Sequence, residues 1–272
     1  MVWSTSFRST LRLIRRSDAA EDLVDVFLSN DGQTRDHILA RLPFDRNRSK
    51  SPGQIPNAKR YRDGRQLLRT IGLVYENEEK LLRVTELGRA VERWRPVLSP
   101  GNAAVLGRHA AQALAACQLR NPTREGSRYQ EDISVFPFAF IWRAMLLLDD
   151  SITSPELNRA IFRVRNEDEL LLAVEKIKHY RLSGDLDSLG AEVETSPEKN
   201  DRILVWMAWA SFGWTLIMDK RESTGGSYMI APQARRLIGE AAMIRHKHRN
   251  FEIEQDYIQF ISECAGLPED LR

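Results

Sequence analysis

The stretch LLRTIGLVYENEEKLLRVTELGRAV, residues 67–91, sets the topology of the first part of the chain. An apolar helical pattern stops at Gly72, and two short runs rich in β-branched and aromatic residues flank the polar turn ENEEK. A further helix begins after Thr85, a favourable N-cap residue. Upstream, residues 18–30, 33–42 and 57–72 each place apolar side chains on one helical face. Three helices followed by strand, turn and strand are the order of a winged helix-turn-helix.

A second stretch repeats this layout near the C-terminus. Residues 198–211 predict a helix, residues 214–219 a strand, and KRESTGG at 220–226 a turn that includes Gly225 and Gly226. The helix carries Trp206, Met207 and Trp209 on almost all sides, which is typical of a buried helix. The repeat therefore predicts a second winged unit that serves packing.

Between the two copies lies a segment with three predicted helices. One of these starts at SPE with Ser154 as N-cap, and a closing amphipathic helix over residues 251–267 places Ile253 and Tyr257 on its core side. The predicted fold class is mainly α with small β wings, built from tandem winged helix-turn-helix units. The predicted domains are residues 1–95, 96–182 and 183–272.

Charge is distributed unevenly along the chain. The net charge is only +2, but residues 1–70 hold 14 Lys and Arg against 8 Asp and Glu. A basic N-terminal part is what a polyanion-binding surface requires.

The predicted compartment is the cytoplasm. Cys117 and Cys264 are far apart in apolar helical contexts, which indicates buried, reduced thiols. The first residues lack the long apolar region of a secretory signal. The longest uncharged run, residues 203–218, is shorter than the ~20 residues that span a bilayer, so no membrane association is predicted.

Three basic features converge on a DNA-binding interpretation. The candidate contacts are Asn57, Lys59, Arg60, Arg62, Arg65, Gln66 and Arg69 in the third helix, Arg46, Arg48 and Lys50 in the preceding loop, and Ser6 and Arg8 in an N-terminal arm. In the major groove, residues 57–62 would read base edges, while the loop and Arg69 would hold phosphates. This interpretation requires the cationic side of residues 57–70 to face outward.

The order of pieces resembles the DNA-recognition region of AlwI-type type IIS restriction and nicking endonucleases. The resemblance rests on WSTSFRSTLRLI at the N-terminus, LRTIGLVYENEEKLLRVTELGR, and SPELNRAIFRVRNEDELLLAVEKIKHYR in the centre, and it covers most of the chain. It implies stacked winged-helix subdomains that recognise double-stranded DNA in a restriction or phage-defence system. In that family a separate C-terminal domain carries the metal-dependent nuclease site.

No convincing nuclease site is present in the sequence. Such a site needs an Asp and a nearby Asp/Glu-x-Lys to hold Mg²⁺ and polarise water. Glu78 and Lys80 fall in the predicted wing, and Glu192 and Glu194 have no lysine in place. We therefore predict no catalytic residues, metal or cofactor, and expect cleavage from a separate nuclease subunit.

Other interpretations stay open at this point. His246 and His248, in RHKHRNF, favour a solvated basic helix end, with phosphate contact as the lesser alternative. A different class of function is a transcriptional regulator that forms a homodimer through the helix at 251–267. A third is a protein-interaction adaptor in which no winged helix touches nucleic acid.

Overall fold

The computed structural model describes residues 3, 23–42, 58–94, 104–123, 126–190, 201–211, 216–222 and 225–267. The helices are α1 (Leu23–Leu28), α2 (Arg35–Arg41), α3 (Ala58–Thr70), α4 (Glu86–Trp94), α5 (Ala104–Ala116), α6 (Pro137–Leu147), α7 (Ser154–Arg159), α8 (Leu170–Ser183), α9 (Asp201–Ala210), α10 (Arg235–Met243) and α11 (Glu254–Ala265). The strands are β1 (Val74–Glu76), β2 (Leu82–Val84), β3 (Ser151–Thr153), β4 (Ile217–Glu222) and β5 (Gly225–Ile230). The described chain is mostly helical with two small antiparallel sheets, as the sequence predicts.

The first unit has the predicted order of elements. Helices α1, α2 and α3 precede the hairpin of β1 and β2, in which Val74 faces Val84. Gly72 ends α3 with a positive φ of 77°, and a Cβ there would lie 2.7 Å from a methyl group of Ile261 on α11. Thr85 Oγ1 accepts the Gly88 N–H at 3.0 Å, which confirms Thr85 as the cap of α4. The predicted loop at 43–56 lies outside the described residues.

The C-terminal hairpin differs from its prediction. Residues 220–222 continue β4 and residues 225–226 begin β5, so the predicted seven-residue turn at 220–226 is wrong. A third strand, β3, which the sequence did not reveal, pairs with β5 and places Ile152 opposite Tyr228. This strand belongs to the central segment, so the sheet joins elements on both sides of residue 182.

Two further local predictions are corrected. Thr153, and not Ser154, is the N-cap of α7, and Glu156 accepts the Thr153 N–H at 2.7 Å. Ile253 is 59% exposed, because it precedes α11 and does not share the buried face of that helix.

The core runs through the whole described chain. Helix α6 is almost entirely buried, the described side chains of α9 are buried, and α5 packs against α10 and α11. Trp3 is fully buried, and its indole Nε1 donates to the Val164 carbonyl at 2.8 Å. Cys117 is buried and Cys264 is half-buried, both as free thiols. Among the described helices, none is long and apolar enough to cross a bilayer.

Candidate nucleic-acid interface

Helix α3 is oriented by an aromatic and aliphatic contact on its inner side. Tyr61, Leu67 and Leu68 are buried, and the Tyr61 ring stacks on Phe27 of α1 at 5.4 Å between ring centroids. At helical spacing Arg62, Arg65 and Arg69 form one row beside this inner side. The stripe that the sequence predicted consists of Lys59, Arg62, Gln66 and Arg69.

Arg65 is engaged within the chain. Its Nη1 lies 2.6 Å from Oε2 of Glu76 on β1, and its guanidinium carbon lies 5.5 Å from the centre of the Tyr61 ring. Only 20% of the Arg65 side chain is exposed. Glu76, at the end of β1 next to the turn, therefore neutralises the positive charge of Arg65.

Gln66 is covered by the loop that follows α5. The Gln66 side-chain amide donates to Thr123 Oγ1 at 3.0 Å, and Thr70 Oγ1 lies 3.3 Å from the same hydroxyl. Gln66 is 5% exposed. A base edge or a phosphate has no access to an amide that is buried and bonded in this way.

Arg69 is paired with an acidic residue of the C-terminal helix. Its Nε and Nη2 donate to the two carboxylate oxygens of Glu254 in a bidentate pair, and both side chains are largely buried. Burial, together with the nearby Arg65, lowers the pKa of Arg69 to about 10, so Arg69 still carries its charge at neutral pH. Tyr257 of α11 also donates to the Thr70 carbonyl at 3.0 Å, so α11 is fastened to the end of α3.

The requirement that the cationic side of residues 57–70 faces outward is therefore met only in part. Arg65, Gln66 and Arg69 are buried or half-buried, whereas Arg62, in the second turn of α3, is exposed. The remaining predicted contacts lie outside the residues or side chains that the structure describes: Asn57, Lys59, Arg60, Arg46, Arg48, Lys50, Ser6 and Arg8.

Arg35 is a candidate that sequence reasoning missed. It is exposed in the first turn of α2, and its guanidinium carbon lies 6.0 Å from the centre of the Tyr61 ring. A cation in the first turn of a helix is disfavoured by the helix dipole. That unfavourable placement, visible in the sequence TRDHI, was a signal for an anion-binding role.

The hairpin between β1 and β2 has the wrong charge for a phosphate contact. Its tip presents Glu78, Glu79 and Lys80, all exposed.

The hairpin is held by Asp31, whose carboxylate accepts the Val84 N–H at 3.0 Å and pairs with Arg89. Burial opposes ionisation of Asp31, but these contacts outweigh it and keep its pKa below the ordinary value.

The segment RHKHRN, residues 245–250, is not the solvated helix end that the sequence predicted. It is a connection without regular secondary structure between α10 and α11, with the rings of His246 and His248 half-buried against Phe136. Burial and nearby arginines lower the pKa of both imidazoles, with Arg143 and Arg249 acting on His246 and Arg120 on His248. Within the described ranges, no group of three or more His, Cys, Asp or Glu side chains is arranged to hold a metal ion.

Comparison with protein-family models gave no match, and comparison with curated proteins found no similar sequence. The resemblance to the AlwI-type recognition region therefore stays a prediction from the residues alone.

Proposed function

We propose that the chain binds double-stranded DNA through a winged helix-turn-helix formed by residues 23–94. The order of α1, α2, α3 and the β1–β2 hairpin supports this proposal, as does the exposed arginine of α3, Arg62. Helix-turn-helix proteins insert the N-terminal residues of the recognition helix into the major groove. In this chain α3 is the recognition helix.

The observation that carries the proposal is the difference between the two halves of α3. Its C-terminal half is fixed by Glu76, Thr123 and Glu254, while Arg62 in its N-terminal half is exposed. The packed C-terminal half fixes the orientation of α3, so the exposed Arg62 is carried on an ordered helix. Arg62 then reads a base edge, and Arg35 at the start of α2 contacts the phosphate backbone.

In this revised assignment Arg65, Gln66 and Arg69 orient the helix and do not touch DNA. The acidic tip of the hairpin stays clear of the phosphates, because Glu78 and Glu79 would be repelled there. Sequence discrimination thus depends on the first two turns of α3.

We further propose that this DNA binding serves a restriction or phage-defence system, with cleavage supplied by a separate nuclease subunit. The support is the resemblance in residues 67–91 and 154–181, together with the lack of a carboxylate–lysine set in the sequence. A dimeric regulator is less well supported, because the apolar side of α11 that would form the dimer is already buried. Its buried members are Tyr257, Ile258, Phe260 and Ile261.

The test is selection of bound sequences from a random duplex pool, followed by affinity measurements on the selected duplex. Arg62→Ala should weaken binding by roughly 1 to 3 kcal/mol in a manner that depends on the base at one position. Arg163→Ala, which removes an exposed cation elsewhere, is the matched control. Absence of duplex binding by the parent, or equal affinities of the parent and Arg62→Ala at all salt concentrations, would overturn the proposal.

A further inference from the structure

In the connection between α10 and α11, basic side chains alternate in sequence with histidines. Residues 244–250 join the two helices without regular secondary structure, and the burial of residues 245–249 alternates along the chain. His246 and His248 point inward, with ring centroids 5.9 Å and 6.1 Å from that of Phe136. The alternate positions, Arg245, Lys247 and Arg249, are exposed.

The inner side of this segment holds it firmly in place. The Arg249 guanidinium lies over Phe260 at 4.8 Å from the ring centre, and the Arg249 N–H donates to Gln118 Oε1 at 3.3 Å. His246 also makes an edge contact with Phe260, with 6.0 Å between ring centroids. Both ends of the segment are fixed as well, because they continue into α10 and α11. These contacts fix the segment, and the Arg249 side chain is itself one of them.

Exposed cations thus recur at alternate positions, Arg245, Lys247 and Arg249, and Arg249 also rests on the Phe260 ring. None of the three cations forms an ion pair with a described residue; Glu167, on which the field of Arg245 acts, is paired with Arg143.

A polar pocket continues this series of cations toward the loop after α5. The pocket has a volume of about 250 Å³, and its lining includes Arg120, Asn121, Arg249, Asn250 and Glu252. Arg120 Nη1 donates to Asn250 Oδ1 at 3.1 Å and to the Glu131 carbonyl at 3.0 Å, both neutral acceptors. The charge of Arg120 therefore has no carboxylate partner among the described residues, and Glu252 is the single acid of the lining.

We propose that Arg120, Arg245, Lys247 and Arg249 form a phosphate-binding surface that holds the backbone of a DNA duplex. This inference rests on the proposed function, which supplies double-stranded DNA as the ligand, and it adds a second contact between the chain and that DNA. The surface lies next to α3, because Asn121 Oδ1 accepts the Thr123 hydroxyl at 2.7 Å and that hydroxyl accepts from Gln66 of α3. The same duplex can thus reach both regions.

A nucleic-acid backbone fits this surface better than a membrane. Peripheral membrane segments are usually amphipathic helices that bury an apolar face in the lipid. Here the segment is not helical, its histidine rings pack against Phe136, and most of the residues that line the adjoining pocket are polar or charged. Amides and arginines are donors suited to phosphate and sugar oxygens.

The experiment measures duplex affinity of the full chain across a salt titration. The slope of log K against log salt is about 0.9 per neutralised phosphate, so Arg245→Ala/Lys247→Ala should reduce the slope by about two. The matched control is Arg163→Ala/Lys176→Ala, which removes two exposed cations outside the surface and should leave the slope unchanged. Thermal unfolding of each variant confirms that it is folded, and Arg245→Lys/Lys247→Arg should retain the parental slope.

The outcomes separate this inference from the proposed function. A reduced salt slope in Arg245→Ala/Lys247→Ala, together with parental affinity in Arg62→Ala, supports the phosphate-binding surface. The same result contradicts the proposed contact between Arg62 and the major groove. A parental slope in the 245/247 variant with weakened binding by Arg62→Ala overturns the surface and leaves the proposed function intact. If the chain binds no duplex but binds phosphatidylserine vesicles through residues 245 and 247, the assignment to nucleic acid is overturned.

Discussion

Two cationic regions of the chain look alike in sequence and differ in what they offer a ligand. On α3, Arg65 and Arg69 are paired with Glu76 and Glu254. Along residues 245–249, the cations are exposed and have no ion-pair partner among the described residues. The number of basic residues in a stretch of sequence therefore does not give the charge exposed on the surface. That charge depends on which acidic side chains pair with the basic ones in the folded chain.

The physical reason lies in the position of each region. Helix α3 is packed against the hairpin, the loop after α5 and the N-terminus of α11, so its later turns meet acids from two other elements. A partly buried arginine requires such partners, because an isolated charge out of water is costly. The 245–249 segment lies on the surface, so water solvates its cations without help.

The largest expected effect comes from breaking the pair on α3. Arg69→Ala leaves the Glu254 carboxylate largely buried without its partner, and we expect a loss of roughly 2 to 4 kcal/mol in the free energy of unfolding. The salt slope of duplex binding should stay at the parental value, because Arg69 does not touch DNA. Chemical denaturation and the salt titration measure the two quantities.

The double variant Arg69→Ala/Glu254→Ala is the control for this pair. Since it removes both charges, it should recover part of the stability that the single variant loses. A single variant of parental stability with a reduced salt slope would show that Arg69 is a phosphate contact after all.

Gln66 gives the next largest effect. Gln66→Ala removes the donor to Thr123 from a buried site and leaves a small cavity, and we expect a loss of about 1 to 3 kcal/mol in unfolding free energy. Duplex affinity, corrected for the folded fraction, should not change. Gln33→Ala, which truncates a less buried glutamine, should cost less stability. A specific loss of affinity in Gln66→Ala would restore Gln66 to the groove-reading set.

The parts of the fold that sequence could predict are those set by neighbouring residues. Gly72 ends α3 and Thr85 caps α4 through contacts within a few positions, so the order of helices and hairpin was readable from residues 67–91. The strand β3 was not readable, because its partner β5 is some 75 positions away and its own sequence, SIT, runs directly into a helix.

The same distinction explains the candidate site. The basic stripe of α3 that includes Arg62 and Arg69 follows from helical spacing and was predicted, but the partner of Arg69 is 185 positions away and carries no local signal. The 245–249 row did carry a local signal that was missed. Alternation of histidine with arginine and lysine has the period of an extended strand, which already separates the two sets of side chains.

The inward histidines predict a smaller, pH-dependent effect. The folded-state pKa of His246 lies below the ordinary value of about 6.5, so the unfolded chain binds protons more readily as the pH falls through that range. The free energy of unfolding should therefore decrease between pH 7.5 and pH 5.5. His246→Phe removes one titrating ring, keeps the aromatic contact with Phe136, and should reduce this decrease.

The comparison with His246→Phe matters because other ionisable groups lie near this site. Those that face the histidines are Arg143, Arg120, Arg249, Glu167 and Cys264. Burial raises the pKa of Glu167, and protonation of such a carboxyl favours the folded state as the pH falls. The difference between parent and variant isolates the imidazole, and an unchanged pH dependence in His246→Phe would show that His246 does not contribute.

The smallest effect on stability and the sharpest test of the contrast between the two regions comes from Glu76. Glu76→Gln keeps an oxygen for the hydrogen bond from Arg65 but removes the negative charge, at a cost of less than about 1 kcal/mol. If the outer side of α3 faces a duplex, the freed charge of Arg65 should strengthen binding and increase the salt slope by up to about one counterion. Glu78→Gln makes the same charge change at the exposed tip of the same hairpin, without an arginine partner, and should have a smaller effect. If the two substitutions strengthen binding equally, the stronger binding reflects the change in net charge and not the release of Arg65. If neither substitution changes binding, residues 245–249 remain the region proposed to contact the duplex.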